Sequence, residues 1–543
     1  MSTEILLKKL KRFLPNNTAN KLLTDDLIFL EEGSVLVVRF NLFNELLLRL
    51  KDLSDFTPTY KKIFNDLITQ FTEVIYDNGG IFINLSDNKI DVVFTGELIE
   101  KSREEIIKHS LKCAIDLKTK YDNFTKEIKK KFDLEFESYF SAGLDYGKFL
   151  EVIFGNEKRK ERVVIGNVPK NAVDSAFKGK NGDIAVSMDI LTVVKDKVEH
   201  CKRKNSYIIT AANYNMDTIQ TSADNYLNLK TSIIKAFIPE YIYNILKDIE
   251  DEEFTDIKKG SVIDIELADI HEFAQEYIEM AASTTDETDY KVMTDNYFFG
   301  LNKLIKKIFR FSLSFDGAVN KIELSKYGIR IIVTFSFPKT FDNDPTNKLI
   351  CVEEINKVCS SFKKLRHKII YFEDSMFASI LGSEDRASYI VSSEITSKTD
   401  DIIEVIGEGE MREIDPTRDI KSIQKLLDKK QFEYDSTGDC EKEGDKIVLK
   451  GLFYHKVIGR NKEIINLNQM LRQGGKIITL TGWHGSGKSR MVEEIVKRMS
   501  NENFHIIHSK VEDRDNIIDL FKYIIEEDSG VSLFDDNETV KIK

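Results

Sequence analysis

Gly482-Trp-His-Gly-Ser-Gly-Lys-Ser489 fits the pattern G-x-x-x-x-G-K-[ST]. Those residue types suit one task, the holding of a polyphosphate. Gly482, Gly485 and Gly487 let backbone N–H groups curl round phosphate oxygens, and a helix N-terminus adds its positive end. Lys488 would reach the β- and γ-phosphates, and Ser489 would ligate Mg²⁺ delivered with ATP or GTP. His484 lies inside the loop, where it fills space beside Trp483. Eight His without H-E-x-x-H give no sign of a zinc hydrolase, and spacing alone argues no Ser/His/Asp arrangement.

Such a loop works only between a strand and a helix. Lys476–Thr481 is a short β-rich apolar run and predicts the strand. Arg490–Met499 carries Met491, Val492, Ile495, Val496 and Met499 at helical spacing. A P-loop ATPase also needs a second strand ending in an acid. Val531-Ser-Leu-Phe-Asp-Asp536 is a poor version of it, and Lys543 follows soon after. The expectation is therefore a parallel-sheet P-loop NTPase fold that is incomplete.

The 543 residues are enough for three or four domains, and 41 % hydrophobic with 31 % charged residues is an ordinary globular mix. A net charge of −12 offers no footprint for nucleic acid or an anionic membrane. No apolar run is as long as a membrane span, and the charged N-terminus reads as an amphipathic helix stopped near Pro15. Five scattered Cys without C-x-x-C point to reduced thiols and a cytoplasmic setting.

Upstream, one order of elements occurs twice. Gly33–Val38 opens a strand, a helix covers about Tyr60–Tyr76, Asn78-Gly79-Gly80 follows, and Ile81–Leu85 with Ile90–Phe94 form a hairpin. A helix over about Ser102–Lys118 and later strands near Ser141, Val163 and Ile184 complete the first copy. Gly260–Ile265, a helix near Tyr297–Phe309, Asp316-Gly317 and the hairpin Val319–Leu324/Ile329–Phe335 repeat the scheme. The lead-ins, Leu10–Pro15 and Ile234–Ile249, also match. The expected division is 1–32 lead-in, 33–200 first α/β domain, 201–254 helical linker, 255–410 second domain, 411–450 linker and 451–543 P-loop domain.

This order resembles the class III nucleotide cyclase domain. Ala142-Gly-Leu-Asp-Tyr-Gly147, Ile153-Phe-Gly-Asn156 and Val164-Ile-Gly166 look like its later signatures. Asn320-Lys321 with Phe335-Ser-Phe-Pro338, then Val457–Glu463 and the P-loop, are similar to the layout of the soluble adenylyl cyclases. The resemblance implies two α+β ferredoxin-like domains in tandem, packed as an intramolecular pseudodimer. It also implies a reaction in which two metal ions, held by two Asp, promote attack of the ribose 3′-OH on the α-phosphate.

Residue by residue the chain departs from that pattern. Arg39 stands where the first metal Asp belongs, and Asn88, beside Asp87, where the second belongs. Ser397 and Asp401 fall at the positions of the Asn and Arg that stabilise the transition state. Lys321 alone matches its counterpart, the adenine contact. A guanidinium repels the cation that a carboxylate would bind, and a neutral amide holds Mg²⁺ poorly. The bland reading of Arg39 is a solvated strand end, and the sharper one is a grip on triphosphate without turnover. Lys321 is likewise either an adenine contact or an ordinary hairpin lysine.

The function expected is that of a cyclase-like signalling protein with an inactive tandem module and an ATP-binding P-loop. An active adenylyl or guanylyl cyclase with displaced metal ligands, and a scaffold with no working nucleotide site, stand as alternatives. For the P-loop, labelled Mg-ATP or Mg-GTP should bind the wild type at least tenfold more tightly than Lys488→Ala. Equal affinity in the two, with equal circular dichroism, rejects the loop.

Overall fold

The computed structural model describes residues 3–414 except 17–20, 22–26, 51–54, 97–101, 157, 204–205, 213–230, 249–253, 284–286, 342–343, 363–364 and 405. They belong to one compact unit, residues 1–446. The protein is of the mixed α/β class, and its described residues form two sheets.

In the first half, helix α1 (Thr3–Lys11) precedes β1 (Ile28–Phe40), α2 (Leu42–Leu50) and α3 (Phe56–Asp77). The hairpin β2 (Ile81–Leu85)/β3 (Lys89–Thr95) comes next, then α4 (Arg103–Phe132), β4 (Phe140–Gly155) and β5 (Lys160–Ile165). Helix α5 (Asn167–Lys178), β6 (Asp183–Val186), α6 (Met188–Val194), β7 (Val198–Arg203) and β8 (Ser206–Ala212) complete an eight-stranded sheet. Its order is β2-β3-β1-β4-β6-β8-β7, with β5 on β4.

Two short helices, α7 (Thr231–Lys235) and α8 (Glu240–Asp248), flank Pro239 and lead into β9 (Thr255–Ala268). Then come α9 (Ile270–Ser283), α10 (Glu287–Ser314), the hairpin β10 (Ala318–Leu324)/β11 (Gly328–Phe335), α11 (Asp344–Ser361), β12 (His367–Gly382), β13 (Ala387–Ser392), α12 (Thr399–Glu404) and β14 (Met411–Ile414). This six-stranded sheet runs β10-β11-β9-β12-β13, with β14 on β12.

The shared sequence pattern gives shared local structure. β1 and β9 each begin with partly exposed residues and become buried at Gly33 and Gly260, β1 as far as Val38 and β9 to its end. Gly33 must be glycine, because a Cβ there would lie 2.0 Å from the Phe94 carbonyl oxygen on β3. Both hairpins carry a bulge in the leading strand, between Phe82 and Asn84 and between Val319 and Lys321. Both turns close alike, Ser86 N–H on the Lys89 carbonyl at 2.9 Å and Ser325 N–H on the Gly328 carbonyl at 3.0 Å.

Helix α4 runs to Phe132, beyond the Lys118 expected. Its start is fixed by Glu105, which accepts from the Ser102 N–H at 3.2 Å. Its end is an αL residue, Asp133 at φ 51°. The helix continues because Leu117, Tyr121, Phe124 and Ile128 keep the apolar spacing. The lead-ins pack together, with Leu10 and Leu14 buried among Ile234, Phe237, Ile238 and Ile242. Cys113, Cys351 and Cys359 are buried thiols.

Neither half closes its core alone. Phe377, Leu381 and Ile390 of the second sheet complete the cluster under α2, α3 and α4. Leu150, Val152, Phe154, Val163 and Ile165 of the first sheet join the cluster under α9, α10 and α11. The Phe377 ring lies 4.7 Å from Tyr60 and 6.1 Å from Phe56. Removing a fully buried aromatic costs about 3–5 kcal/mol. Phe377→Ala should therefore destabilise by that order, read as a lower urea midpoint, and the loss should appear in probes on both halves.

Candidate functional site

The two hairpin turns point into the seam between the halves, and there the charged residues collect. Lys89 begins β3 directly after the first turn and is 1 % exposed. Its Nζ donates to the Leu324 carbonyl at 2.7 Å and lies 3.7 Å from Glu323. Arg330, 2 % exposed, is its equivalent on β11, since Lys89 faces Arg39 across the first sheet as Arg330 faces Glu266 across the second. The Arg330 guanidinium binds Asp264 through two nitrogens, one at 3.0 Å, and also binds Asp400 and Thr399.

Helix α12 carries Asp400, Asp401 and Glu404 to this seam. Glu404 accepts from Lys326 at 3.0 Å, while Asp174 of α5 lies 3.6 Å from the same lysine. Burial raises the Asp400 pKa, but Arg330, Lys89 and Arg39 outweigh it and leave the carboxyl more acidic than usual. Burial likewise works against the Glu323 carboxylate, and Lys321, Lys89 and Arg330 reverse the effect and hold its pKa at about 2.

The sequence-derived positions fall into this seam in a particular way. Arg39 is partly exposed, and its guanidinium carbon lies 3.7 Å above the Phe177 ring of α5, a cation–π contact. Burial would lower its pKa, yet Tyr139, Asp401, Asp400 and Glu404 together raise it. Arg39 is thus a partly exposed cation stacked on an aromatic ring with acids of the second half in its field. Asn88 and Ser397, 309 residues apart, meet directly, the Asn88 side-chain N–H₂ donating to the Ser397 carbonyl at 3.3 Å. Asp87 accepts from the Ser392 hydroxyl. Lys321 is paired with Glu323.

At the end of β1 the Arg39 cation thus lies within electrostatic reach of Asp400, Asp401 and Glu404 of the second half. Among the described residues no group of three or more His, Cys, Asp or Glu is arranged to hold a metal ion. Gly482, Gly485, Gly487, Lys488 and Ser489 lie outside the described residues.

Sequence reasoning missed Asp264, Glu323, Arg330 and Asp400. Three of the four stand in Ile263-Asp-Ile-Glu266, Ile322-Glu-Leu324 and Ile329-Arg-Ile331, which set charges inside apolar strand runs. Charged residues almost never lie fully buried unless paired, so such runs mark a buried ionic network.

A second buried cluster lies behind the seam. Glu266 accepts from the Ser325 hydroxyl, and His271 bridges the halves, Nε2 at 2.8 Å from the Ser325 carbonyl and Nδ1 accepting from the Gly166 N–H at 3.1 Å. Burial depresses the His271 pKa to about 4, so the ring is neutral at pH 7.

No protein-family model matches the chain, and no curated protein matches it. Among solved structures it is similar to the adenylyl cyclase CyaB from P. aeruginosa, at 13 % identity and a TM-score of 0.30, covering 35 % of this chain and 98 % of that one. A class III adenylyl cyclase-like ATP-binding protein from Pseudomonas aeruginosa is similar at 10 % identity and a TM-score of 0.43, over 73 % of this chain and 89 % of that one. The guanylyl cyclase domain of the RhoGC fusion protein from the aquatic fungus Blastocladiella emersonii is similar at 13 % identity and a TM-score of 0.27, over 35 % and 100 %. No helix among the described residues is long and apolar enough to cross a membrane.

Burial pushes the Glu266 pKa up to about 8, with Ser325 and Arg330 opposing. The unfolded chain releases this proton near 4.5, so the folded state holds the proton more tightly between those values. The resulting stability is full below 4.5 and is lost as pH rises to about 8. Glu266→Gln should flatten that part of the profile, measured by urea unfolding from pH 5 to pH 9. A wild-type slope retained by the variant rejects Glu266 as its source.

Proposed function

We propose that residues 1–410 form a tandem cyclase-homology module that binds or senses a ligand without making cyclic nucleotide. Residues 451–543 would supply Mg-ATP or Mg-GTP binding through the P-loop. In this reading the domains expected at 33–200 and 255–410 pack head-to-tail as a pseudodimer, with β7 and β8 carrying the first sheet on to Ala212 rather than belonging to a linker that starts at 201. The core clusters that mix residues of both sheets support that packing.

The inverted charge of the seam carries the proposal. Attack of a 3′-OH on an α-phosphate needs two cations held by carboxylates, and donors facing the negative charge that develops. Arg39 offers a fixed positive charge already flanked by Asp400, Asp401 and Glu404. Asn88 is hydrogen-bonded to the Ser397 backbone. Asp401 would repel the developing charge that an arginine there would stabilise. These departures lie on both halves, so no single shift of register restores the machine.

The purified chain should give no cyclic product from ATP or GTP with either Mg²⁺ or Mn²⁺. Product after the combined changes Arg39→Asp, Asn88→Asp, Ser397→Asn and Asp401→Arg would support the reading strongly. Wild-type turnover that survives Arg39→Ala and disappears in Asp87→Ala would overturn it, because the turn would then hold a metal after all.

A further inference from the structure

Helix α10 divides sharply into two faces. Phe298, Leu301, Leu304, Ile305, Ile308 and Phe309 are buried in the core of the second half. Phe299, Lys303, Lys306, Lys307, Arg310 and Leu313 are exposed. At the α-helical turn and rise, the exposed six fall within an arc of about 120° and along a stripe of about 21 Å. Phe299 is 69 % exposed and Leu313 41 %, so an aromatic and an aliphatic side chain close the two ends of a row of cations.

Those cations are uncommitted. Other helical lysines have acid partners, Lys112 with Asp116 at 2.8 Å, Lys118 with Asp122 at 2.6 Å and, on the neighbouring α11, Lys357 with Glu354 at 2.7 Å. Among the described residues no acid is paired with Lys303, Lys306, Lys307 or Arg310. The Arg310 guanidinium carbon lies 5.6 Å from the centre of the Phe311 ring. The net charge of −12 conceals this row. Salt screens exposed charges beyond about 8 Å, so an approaching surface meets only the local ones.

Charge complementarity calls for an anionic partner, and the arrangement of the row selects its kind. A partner that takes an amphipathic helix into a groove grips the apolar side of that helix. The apolar side of α10 is buried in its own core. What faces outward is a row of cations with one apolar side chain at each end. That suits a surface with phosphates outermost and hydrocarbon just beneath, where lysine and arginine pair with headgroups and phenylalanine and leucine enter the acyl boundary.

We propose that the outer face of α10 docks on an anionic lipid surface. Lys303, Lys306, Lys307 and Arg310 contact the headgroups, and Phe299 and Leu313 anchor the two ends. The helix lies along the surface and does not cross it. This interaction goes beyond the nucleotide reading and does not depend on what the seam binds.

The experiment is sedimentation of the full chain with vesicles of phosphatidylcholine, alone or with roughly 30 % phosphatidylserine. The mixed vesicles should bind at least tenfold more tightly, and about 1 M salt should release the protein. Lys303→Glu with Lys307→Glu should weaken binding at least tenfold, whereas Lys130→Glu with Lys131→Glu, on α4, should leave it unchanged. Phe299→Ser should weaken binding about threefold and keep the salt dependence, because it removes an apolar contact and no charge. All these positions are exposed, and circular dichroism checks the fold; Lys303→Gln with Lys307→Gln replaces the reversed pair if that pair does not fold. Equal binding to both vesicles, unchanged affinity in the α10 variants, an equal loss in the α4 variant, or no binding to either vesicle each overturns the proposal. So does polyglutamate that binds more tightly than the mixed vesicles, which would make the partner an acidic protein segment.

Discussion

A positive charge removed from water is tolerated only beside a negative one. Lys89 and Arg330 are 1 % and 2 % exposed, and the seam is organised round that constraint. Asp264 rises from β9, Glu323 from β10 and Asp400 from α12 to meet them. Each carboxylate sits on a different element, so none of these elements can shift without leaving a charge unpaired. Breaking one such buried pair typically costs 3–5 kcal/mol. The network therefore fixes the position of α12, and α12 in turn brings its acids to Arg39.

That dependence alters what the seam can do. Metal ions that bridge two domains come and go with ligand, whereas a guanidinium on a strand stays. Arg39 stacked on Phe177, with acids from the other half nearby, is a resident cation with its counter-charges in place. That geometry helps to hold the two halves in register.

Much of the fold was legible in the chain because it depends on period and punctuation. Both hairpins, the buried strands after Gly33 and Gly260 (though each starts five residues earlier), and the stop near Pro15 follow from local pattern. Element ends were less legible, as α4 shows, since a helix continues wherever one face finds tertiary contacts. At the site, Arg39, Asn88, Asp401 and Lys321 could be picked out by comparison with what a cyclase needs. The fate of their charge could not, because pairing partners lie hundreds of residues away, as Asn88 and Ser397 do. Asp264 and Arg330 were missed for a different reason. A charge inside an apolar strand looks like an interruption until the opposing strand supplies its partner.

The exchange of core residues between the halves has a consequence for biosynthesis. The cluster around Phe64 and Phe71 is built from the first 209 residues together with Phe377, Leu381 and Ile390. A ribosome emits the chain from its N-terminus at roughly 5–20 residues per second. On the order of ten seconds or more must then pass after the first sheet's strands have emerged before Phe377 can cover Tyr60. During that interval the nascent chain presents an uncapped apolar face, the kind of surface that chaperones shield. The first half would need a holding partner during translation, and the second half would release it.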